Sequence, residues 1–270
     1  MMRSLFSAVA GLRTHQTRMD VIGDNIANVN TVGFKRSSVT FKDVYYQTLR
    51  GGSASGGAGA AGGTNPQQIG LGVSLGSIDV VHTQGAAMAT GNGTDLMIQG
   101  DGFFRLKDAT GAIYYTRAGV FHFDGSGYLV NPDGLKVLSD SDAEIKIDTD
   151  ARSYNIDKYG VVRFIKADGT SGTDQTIGLS KFPNPSGLEK IGQNLYRYIS
   201  TGGAGPEVKG KAGSGSFANT TLIPSALEMS NVELAQEFSD MIITQRGFQA
   251  NARTITVSDE MLQELVNLKR

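Results

Sequence analysis

The chain has 270 residues, enough for one or two domains with a hydrophobic core. Its formal net charge of −1 lacks the basic surplus that binding to nucleic acid requires, so we expect no nucleic-acid partner. It contains no cysteine, which excludes disulfides and thiolate chemistry, and its three histidines show no metal-ligand spacing. No signal peptide or transmembrane stretch is apparent, so we expect no membrane insertion.

A seven-residue hydrophobic repeat runs through the N-terminal segment of the chain. Leu5, Leu12, Met19 and Ile26 lie at this spacing and predict a helix over 3–29. A seven-residue repeat keeps one seam of a helix facing a partner helix. The pattern therefore indicates a protein that assembles through helices.

The C-terminal segment carries the same repeat. Ser230 and Glu233 match a capping box immediately before it and predict a helix from Asn231 to about Leu268. A narrow apolar seam favours helix-against-helix packing over a globular core. The helices at the two ends are expected to pack on each other and on copies in neighbouring subunits. The residues predicted at this assembly interface are Leu5, Leu12, Met19, Ile26, Leu234, Phe238, Met241, Phe248, Ile255 and Leu262.

The middle of the chain has the pattern of β structure. Residues 51–63 are all Gly, Ser or Ala and predict a flexible linker. Ile69, Leu71, Val73 and Leu75 alternate as in one half-buried strand. Short apolar runs then alternate with turn residues at intervals of about ten residues, which predicts an antiparallel β domain.

The predicted fold class is α+β, with paired, coiled-coil-like terminal helices forming a discontinuous domain around a central antiparallel β domain. The expected domains are a helical assembly domain at 1–30 and 230–270, a connecting segment at 31–83 and 201–229, and an outer β domain at 84–200.

Three short patterns match chemical motifs only formally. Residues 57–62 fit G-x-G-x-x-G but neither follow a strand nor open a helix. Residues 72–76 fit G-x-S-x-G, yet the strand pattern continues through Ser74 without the required turn. The acidic stretch 140–144 lacks the glycine and final glutamate of a calcium loop. We therefore expect no catalytic residue, metal site or cofactor; an adhesin-like binding module remains an alternative from the β domain alone.

Segments at both ends and in the middle resemble the bacterial flagellar rod and hook family. Residues 24–36 (DNIANVNTVGFKR) are similar to the family's N-terminal signature, and 244–253 (TQRGFQANAR) with 258–263 are similar to its C-terminal one. Residues 100–104 and 115–119 resemble its central motifs. The motif residues that the resemblance singles out are Asn25, Asn28, Thr31, Gly33, Phe34, Lys35, Gln245, Arg246 and Asn251.

Two members of the family are candidates. Residues 65–73, 248–251 and the ending 264–270 resemble the short hook proteins of Gram-positive bacteria, which is the favoured interpretation. The distal rod protein is the alternative because it has a similar length and extra residues before the sheet, which here fall at 51–64.

The resemblance implies a structural role and a set of partners. The subunit would polymerise with itself into a flexible helical tube around an export channel, acting as a universal joint between motor and filament. Implied partners are the distal rod, hook cap and hook–filament junction proteins and the type III export apparatus. The location would be the extracellular flagellum, reached without a cleaved signal peptide. Both ends are expected to be largely disordered in the monomer and to fold on assembly.

Overall fold

The computed structural model describes residues 2–54, 62–148, 151–200 and 203–268. Most of the linker predicted at 51–63 and of the glycine motif at 57–62 lies outside these residues. The chain divides into two compact units. The helical unit comprises Met1–Ile26, Ser37–Asp79 and Glu233–Arg270, and the β unit comprises Ala27–Arg36 and Val80–Val232. Within the described ranges, no helix is long and apolar enough to cross a membrane.

The helical unit contains long terminal helices and short strands. Its elements are α1 (Met2–Ala27), β1 (Ser37–Asp43), β2 (Tyr46–Arg50), β3 (Gln67–Gly70), β4 (Val73–Val80) and α2 (Leu234–Leu268). β1 pairs with β4, and β2 pairs with β3 in an antiparallel ribbon.

The single strand predicted from Ile69 to Leu75 is wrong, because residues 71 and 72 separate two strands, β3 and β4. Gly72 has φ of +122°, a conformation that residues with a side chain rarely adopt. A Cβ at this position would also lie 3.2 Å from the Cα of Ser7. Ser74 lies within β4, so it has no strand-to-helix turn to present it as a nucleophile.

The predicted capping box is also wrong, because α2 begins at Leu234. Ser230 Oγ accepts a hydrogen bond from the amide of Val232 (3.3 Å), two residues on, whereas a capping box requires the third. The side chain of Asn231 binds the amide of Arg36 (2.8 Å) and the carbonyl of Val81 (2.8 Å). These side-chain bonds to backbone hold the chain extended and delay the helix start.

The β unit is antiparallel throughout its described strand pairs. Its strands are β5 (Ala87–Ala89), β6 (Leu96–Gln99), β7 (Phe103–Lys107), β8 (Ile113–Thr116), β9 (His122–Phe123), β10 (Leu129–Val130), β11 (Lys136–Val137), β12 (Ala151–Ile156), β13 (Val161–Lys166), β14 (Gln175–Thr176), β15 (Leu179–Lys181), β16 (Glu189–Gly192), β17 (Leu195–Arg197), β18 (Val208–Gly210), β19 (Thr221–Pro224) and β20 (Ala226–Glu228).

One large sheet organises the described part of the β unit. Its order is β16–β17–β8–β7–β11–β10–β9, with β15 joined to β7 and β18 to β15. A second sheet runs β12–β13–β14, and β6 and β5 pair with β19 and β20. The main core is apolar and includes Leu96, Phe104, Phe121 and Ile177. The predicted α+β class is confirmed.

The β unit takes in part of the segment predicted as a connector. β18, β19 and β20 come from 201–229, and β19 buries Leu222 in the main core. The glycines of this stretch predict a linker. Its few apolar residues nevertheless bury enough surface for β19 to pair with β6. The radial placement of the units in an assembly stays a prediction.

Candidate assembly interface

Polar side chains link α1 to α2 near the end of α1. Asn25 Nδ2 donates to Glu237 Oε2 (3.2 Å), and both side chains are buried. Arg18 Nη2 lies 3.1 Å from Asp240 Oδ1. The residue later in α1, Asn25, contacts the residue earlier in α2, Glu237, so the two helices run antiparallel. Asn25 also makes two hydrogen bonds of 2.9 Å to the backbone of Ser37, which tie the start of β1 to the end of α1.

Two glycines allow the helices to approach closely. A Cβ on Gly11 would lie 2.7 Å from Nδ2 of Asn251, and a Cβ on Gly247 would lie 2.6 Å from Cε1 of His15. A side chain at either position would have to displace the side chain of Asn251 or of His15. Each glycine weakens its helix by about 1 kcal/mol relative to alanine, so the close contact explains why glycine is present.

The centre of the contact on α2 lies three positions after the predicted seam. Glu237, Thr244 and Ser258 are the buried residues of α2, again at multiples of seven, with Asn251 partly buried between them. Thr244 and Ser258 donate their hydroxyls to carbonyls of their own helix, each at 2.7 Å. Small and polar residues therefore pack at the centre, because large ones would hold the helices apart.

The predicted seam residues lie beside this centre. We expected the two apolar seams to meet each other, and the structure does not bring them together in that way. Phe248 remains 40% exposed. The exposed members are Leu234, Phe238 and Phe248, and the half-buried members are Leu5, Leu12, Met19, Ile26, Met241, Ile255 and Leu262. Their role between subunits stays a prediction.

Further apolar side chains are exposed on the same helices, and the heptad pattern missed them. Phe6 on α1 is 68% exposed, and Ile242 and Ile243 on α2 are each 58% exposed. Three consecutive apolar residues, Met241 to Ile243, cover more of the helix surface than one seam position does. This run is the sequence signal that indicates the additional exposed surface. Several large exposed apolar side chains on one helix favour an interaction site there.

The helices differ in length, which leaves an overhang. α1 has 26 residues and α2 has 35. The antiparallel register places Met2 opposite about residue 260 of α2. Residues 261–268 therefore extend past the first described residue of α1, and Leu265, Val266 and Leu268 there are exposed.

The ribbon of β2 and β3 presents a second exposed surface of the helical unit. Every residue of the two strands is exposed. The surface includes the large side chains of Tyr45, Tyr46, Leu49 and Ile69. An isolated two-stranded ribbon is only marginally stable, so these residues would gain stability from a further surface against them.

The N-terminal motif folds into the β unit through a turn. Thr31 donates its amide and hydroxyl to Asn28, each at 3.1 Å. Gly33 has φ of +71° and donates its amide to the carbonyl of Glu228 (2.7 Å). A Cβ on Gly33 would lie 2.6 Å from the backbone nitrogen of Ala118. The motif therefore requires glycine at this position for both conformation and space.

A buried charge cluster of Lys35, Arg117 and Glu228 follows this turn. Lys35 and Glu228 are fully buried, with Lys35 Nζ 2.5 Å from Glu228 Oε1 and 2.7 Å from the carbonyl of Thr83. Arg117 Nη1 lies 3.3 Å from Glu228 Oε2, and the amide of Gly85 donates to Oε1 (2.9 Å). Burial lowers the pKa of Lys35, and Glu228 only partly offsets this effect. The cluster joins segments far apart in the chain.

Sequence reasoning found part of this cluster. Lys35 is a predicted motif residue and Arg117 lies in the quoted segment 115–119, but Glu228 carried no signal beyond being one acid in an apolar stretch. Phe34 is buried beneath Lys190 Nζ, which lies 4.8 Å from its ring centroid.

The C-terminal motif residues lie on α2. Gln245 and Arg246 are exposed at the helix surface, and Asn251 packs against Gly11. Over the described ranges, no three His, Asp or Glu side chains cluster in a way that could hold a metal ion.

Known proteins resemble the chain over its whole length. Family models match at residues 5–35 (Flagella basal body rod protein), 97–164 (Flagellar hook protein FlgE/F/G D1 domain) and 223–268 (Flagellar basal body rod FlgEFG protein C-terminal). The flagellar basal-body rod protein FlgG of Bacillus subtilis (strain 168) is 50% identical over 272 residues, covering 100% of both chains. This chain belongs to the flagellar rod and hook family.

Two further relatives are less similar to this chain than that protein. The rod protein FlgG of Buchnera aphidicola subsp. Acyrthosiphon pisum is 37% identical over 276 residues, covering 99% of this chain and 100% of the relative. The hook protein FlgE of Borreliella burgdorferi is 30% identical over 448 residues, covering 100% of both. The family prediction is confirmed. The hook assignment is not confirmed, and the rod alternative fits these similarities better.

Proposed function

We propose that this protein is a distal rod subunit of the bacterial flagellum, which polymerises into a rigid tubular drive shaft around the export channel. The observation that carries the proposal is the 50% identity to a rod protein with end-to-end coverage of both chains. The hook relative needs an alignment of 448 residues against this chain of 270. The difference means that the hook protein has a large additional region.

The exposed apolar surfaces of α1 and α2 support polymerisation. These surfaces are unlike one another, so a contact that joins two of them in different copies is heterologous and extends into an open helical polymer. The intrachain contact uses glycine, threonine, serine and asparagine, which leaves Phe6, Ile242 and Phe248 for neighbouring copies. Burial of this apolar surface on assembly would contribute a favourable free energy of about 25 cal/mol per Å².

The ribbon of β2 and β3 supports a further contact between subunits of the tube. Its tyrosines and leucine gain burial only against another surface, and in a polymer that surface belongs to a neighbouring subunit. Such a contact would resist sliding between subunits, which stiffens a tube.

A hook subunit is the second candidate. The 30% identity to a hook protein and the hook-like segments 65–73 and 248–251 favour it. In that case the tube would bend while transmitting torque. Either function implies the flagellar structure outside the cell as location, the neighbouring rod and hook components as partners, and delivery by the type III export apparatus with an intact N-terminus.

Electron microscopy of the purified, polymerised protein tests the proposal. A distal rod subunit should form straight tubes that do not bend along their length. Long tubes that bend would support the hook instead. Protein that stays monomeric at high concentration would refute both.

A single substitution tests the assembly surface. Phe248→Asp should abolish tube formation, because a carboxylate on this face cannot be buried against a neighbouring copy without a partner. The β unit should remain folded by circular dichroism, since Phe248 lies in the helical unit. Gln249→Asp, an exposed neighbour on α2, is the matched control and should still polymerise. Normal tubes from the Phe248 variant would contradict this interface.

A further inference from the structure

A cavity of about 200 Å³ opens in the β unit beside the buried charge cluster. It would hold roughly six water molecules or one aromatic ring with a small substituent. Its apolar walls include Phe103, Phe182, Pro183 and Pro185, and its polar side chains include His82 and Arg117. The proposed assembly surfaces of α1, α2 and the ribbon make no use of this cavity.

Two side chains at the cavity have unused hydrogen-bonding atoms. Nε of Arg117 has no hydrogen-bond partner among the described residues, and neither ring nitrogen of the half-buried His82 has one of normal distance and angle, although the backbone of Pro185 lies near enough to act on the pKa of the ring. Arg117 itself is 95% buried. Buried polar atoms are normally satisfied, so unpaired ones that line a cavity are available to bind a ligand.

The charges around the cavity favour an anion. Glu228 is one acid facing two cations, Lys35 and Arg117. Lys181 at the rim is balanced by Asp101 at 2.8 Å. One positive charge therefore remains uncompensated within the cluster of Lys35, Arg117 and Glu228.

The pKa of His82 is affected by the same positive charges. Burial first, and then the charges of Lys35, Arg117 and Lys190, lower its pKa to about 4, with the backbone of Pro185 opposing slightly. At neutral pH the ring is therefore uncharged and offers one N–H donor and one acceptor. Tyr196 packs on the ring and adds no charge, since burial raises the pKa of its hydroxyl.

The free donors and the apolar walls together favour an organic anion. Arg117 Nη1 and Nη2 each make one hydrogen bond, to Glu228 and to the carbonyl of Gly100, and Nε is the guanidinium nitrogen that has no partner among the described residues. Nε of Arg117 and the N–H of His82 can each donate to one of the two oxygens of a carboxylate. The aromatic and proline walls suit an apolar group attached to that carboxylate.

We propose that this cavity binds a carboxylate carried on a small apolar group, held by Arg117 and His82 against Phe103 and Phe182. The carboxylate can belong to a free small molecule or to an acidic side chain of a second copy. The chemistry of recognition is the same in both cases.

NMR of the full-length protein with sodium benzoate tests the proposal. The chain has three histidines, so the imidazole signals are few, and His82→Gln identifies the relevant one. Benzoate should shift the His82 and Arg117 Nε–H signals saturably, with a Kd of about 1 mM, and should raise the pKa of His82. Benzyl alcohol and sodium chloride at matched concentrations should not. No saturable shift with benzoate would overturn the proposal.

Two exposed substitutions should change affinity in opposite directions. Lys181→Met should weaken benzoate binding several-fold, and Asp101→Asn should strengthen it several-fold, because they remove opposite charges from the rim. Lys209→Met is the matched control, since Lys209 is equally exposed and pairs with Asp142 elsewhere in the unit. Equal effects from all three variants would contradict specific binding in the cavity.

Cosedimentation of labelled benzoate with polymer distinguishes the two sources. Retention of benzoate in the polymer supports a free molecule as the natural ligand. Exclusion of benzoate from the polymer, together with retained binding to the monomer, supports an acidic side chain of a second copy. The absence of benzoate from both forms overturns the site.

Discussion

Gly33 shows how one residue of the motif is determined by the fold. Its positive φ and the backbone of Ala118 at 2.6 Å from a hypothetical Cβ are separate obstacles to any side chain. Gly33→Ala should therefore lower the free energy of unfolding of the β unit by about 3 kcal/mol or more. Urea denaturation followed by circular dichroism measures this loss.

Gly91 is the control for that substitution. It has φ of +74° but nothing within 4 Å of a Cβ. Gly91→Ala should cost only about 1–2 kcal/mol, the strain of the left-handed conformation alone. Equal losses at the two positions would show that the close approach to Ala118 is unimportant.

His82 should make stability depend on pH. Its pKa is about 4 in the folded state against 6.5 for an unperturbed histidine, so the folded state binds fewer protons than the unfolded state between these limits. The contribution is fully present above pH 6.5 and is lost as pH falls toward 4. Unfolding free energy should fall by roughly 2 kcal/mol across this window, allowing for the partly exposed ring.

The variant His82→Gln isolates this effect. Glu144, whose pKa is lowered by its hydrogen bond with Lys136, titrates in both proteins and cancels in the comparison. Denaturation at several pH values should show that the difference between wild type and variant shifts by roughly 2 kcal/mol, against the wild type, as pH falls from 6.5 to 4, and is constant outside this range. A constant difference would mean that His82 does not titrate in this range.

Residue identity alone predicted only part of these roles. The quoted motifs contained Gly33 and Lys35, and both take structurally demanding positions. Glu228 and His82 could not be found in this way, because their importance comes from burial beside residues distant in sequence. Such neighbours follow from strand pairing, which local patterns do not determine.

The charge cluster connects elements, and its members should not be equally important. Glu228→Gln leaves Lys35 and Arg117 buried without a counter-charge and should cost about 3–5 kcal/mol of unfolding free energy. Lys35→Met leaves Arg117 paired with Glu228 and should cost less. Thermal or urea denaturation of both variants tests the order.

An exposed pair provides the reference for these variants. Glu189 lies 2.6 Å from Arg197 on β16 and β17, and both are exposed. Glu189→Gln should change stability by no more than about 1 kcal/mol. A larger effect at Glu189 than at Glu228 would refute the structural role of the cluster.

At the level of elements, periodicity located the helices but not their contact. Repeats of seven correctly indicated long helices at both ends, because such patterns extend over many turns. The contact itself lies three positions away, since close approach requires small side chains such as Gly11 and Gly247. A hydrophobic pattern finds apolar residues and cannot find a contact made of glycine and threonine.

For the whole molecule, protection from hydrogen exchange should be uneven. The residues that α2 buries are Glu237, Thr244 and Ser258, none of which is apolar, whereas the β unit has an extended apolar core. In the monomer, amides of α2 should exchange much faster than those of β7 and β13. Polymerisation should slow exchange in α2 and leave the β unit unchanged.

One outcome of the exchange experiment would contradict this prediction. If α2 in the monomer were protected as strongly as β7, then folding of the terminal helices would not depend on assembly. Mass spectrometry of monomer and sedimented polymer, compared peptide by peptide, separates the two outcomes.

The unequal lengths of α1 and α2 give the molecule a direction. The eight residues of the overhang, 261–268, correspond to about 12 Å of helix at the standard rise. A copy that covers the apolar overhang of its neighbour still presents its own, so a polymer joined there has two different ends. Addition would then proceed with unequal rates at those ends, and one end would always carry uncovered apolar helix.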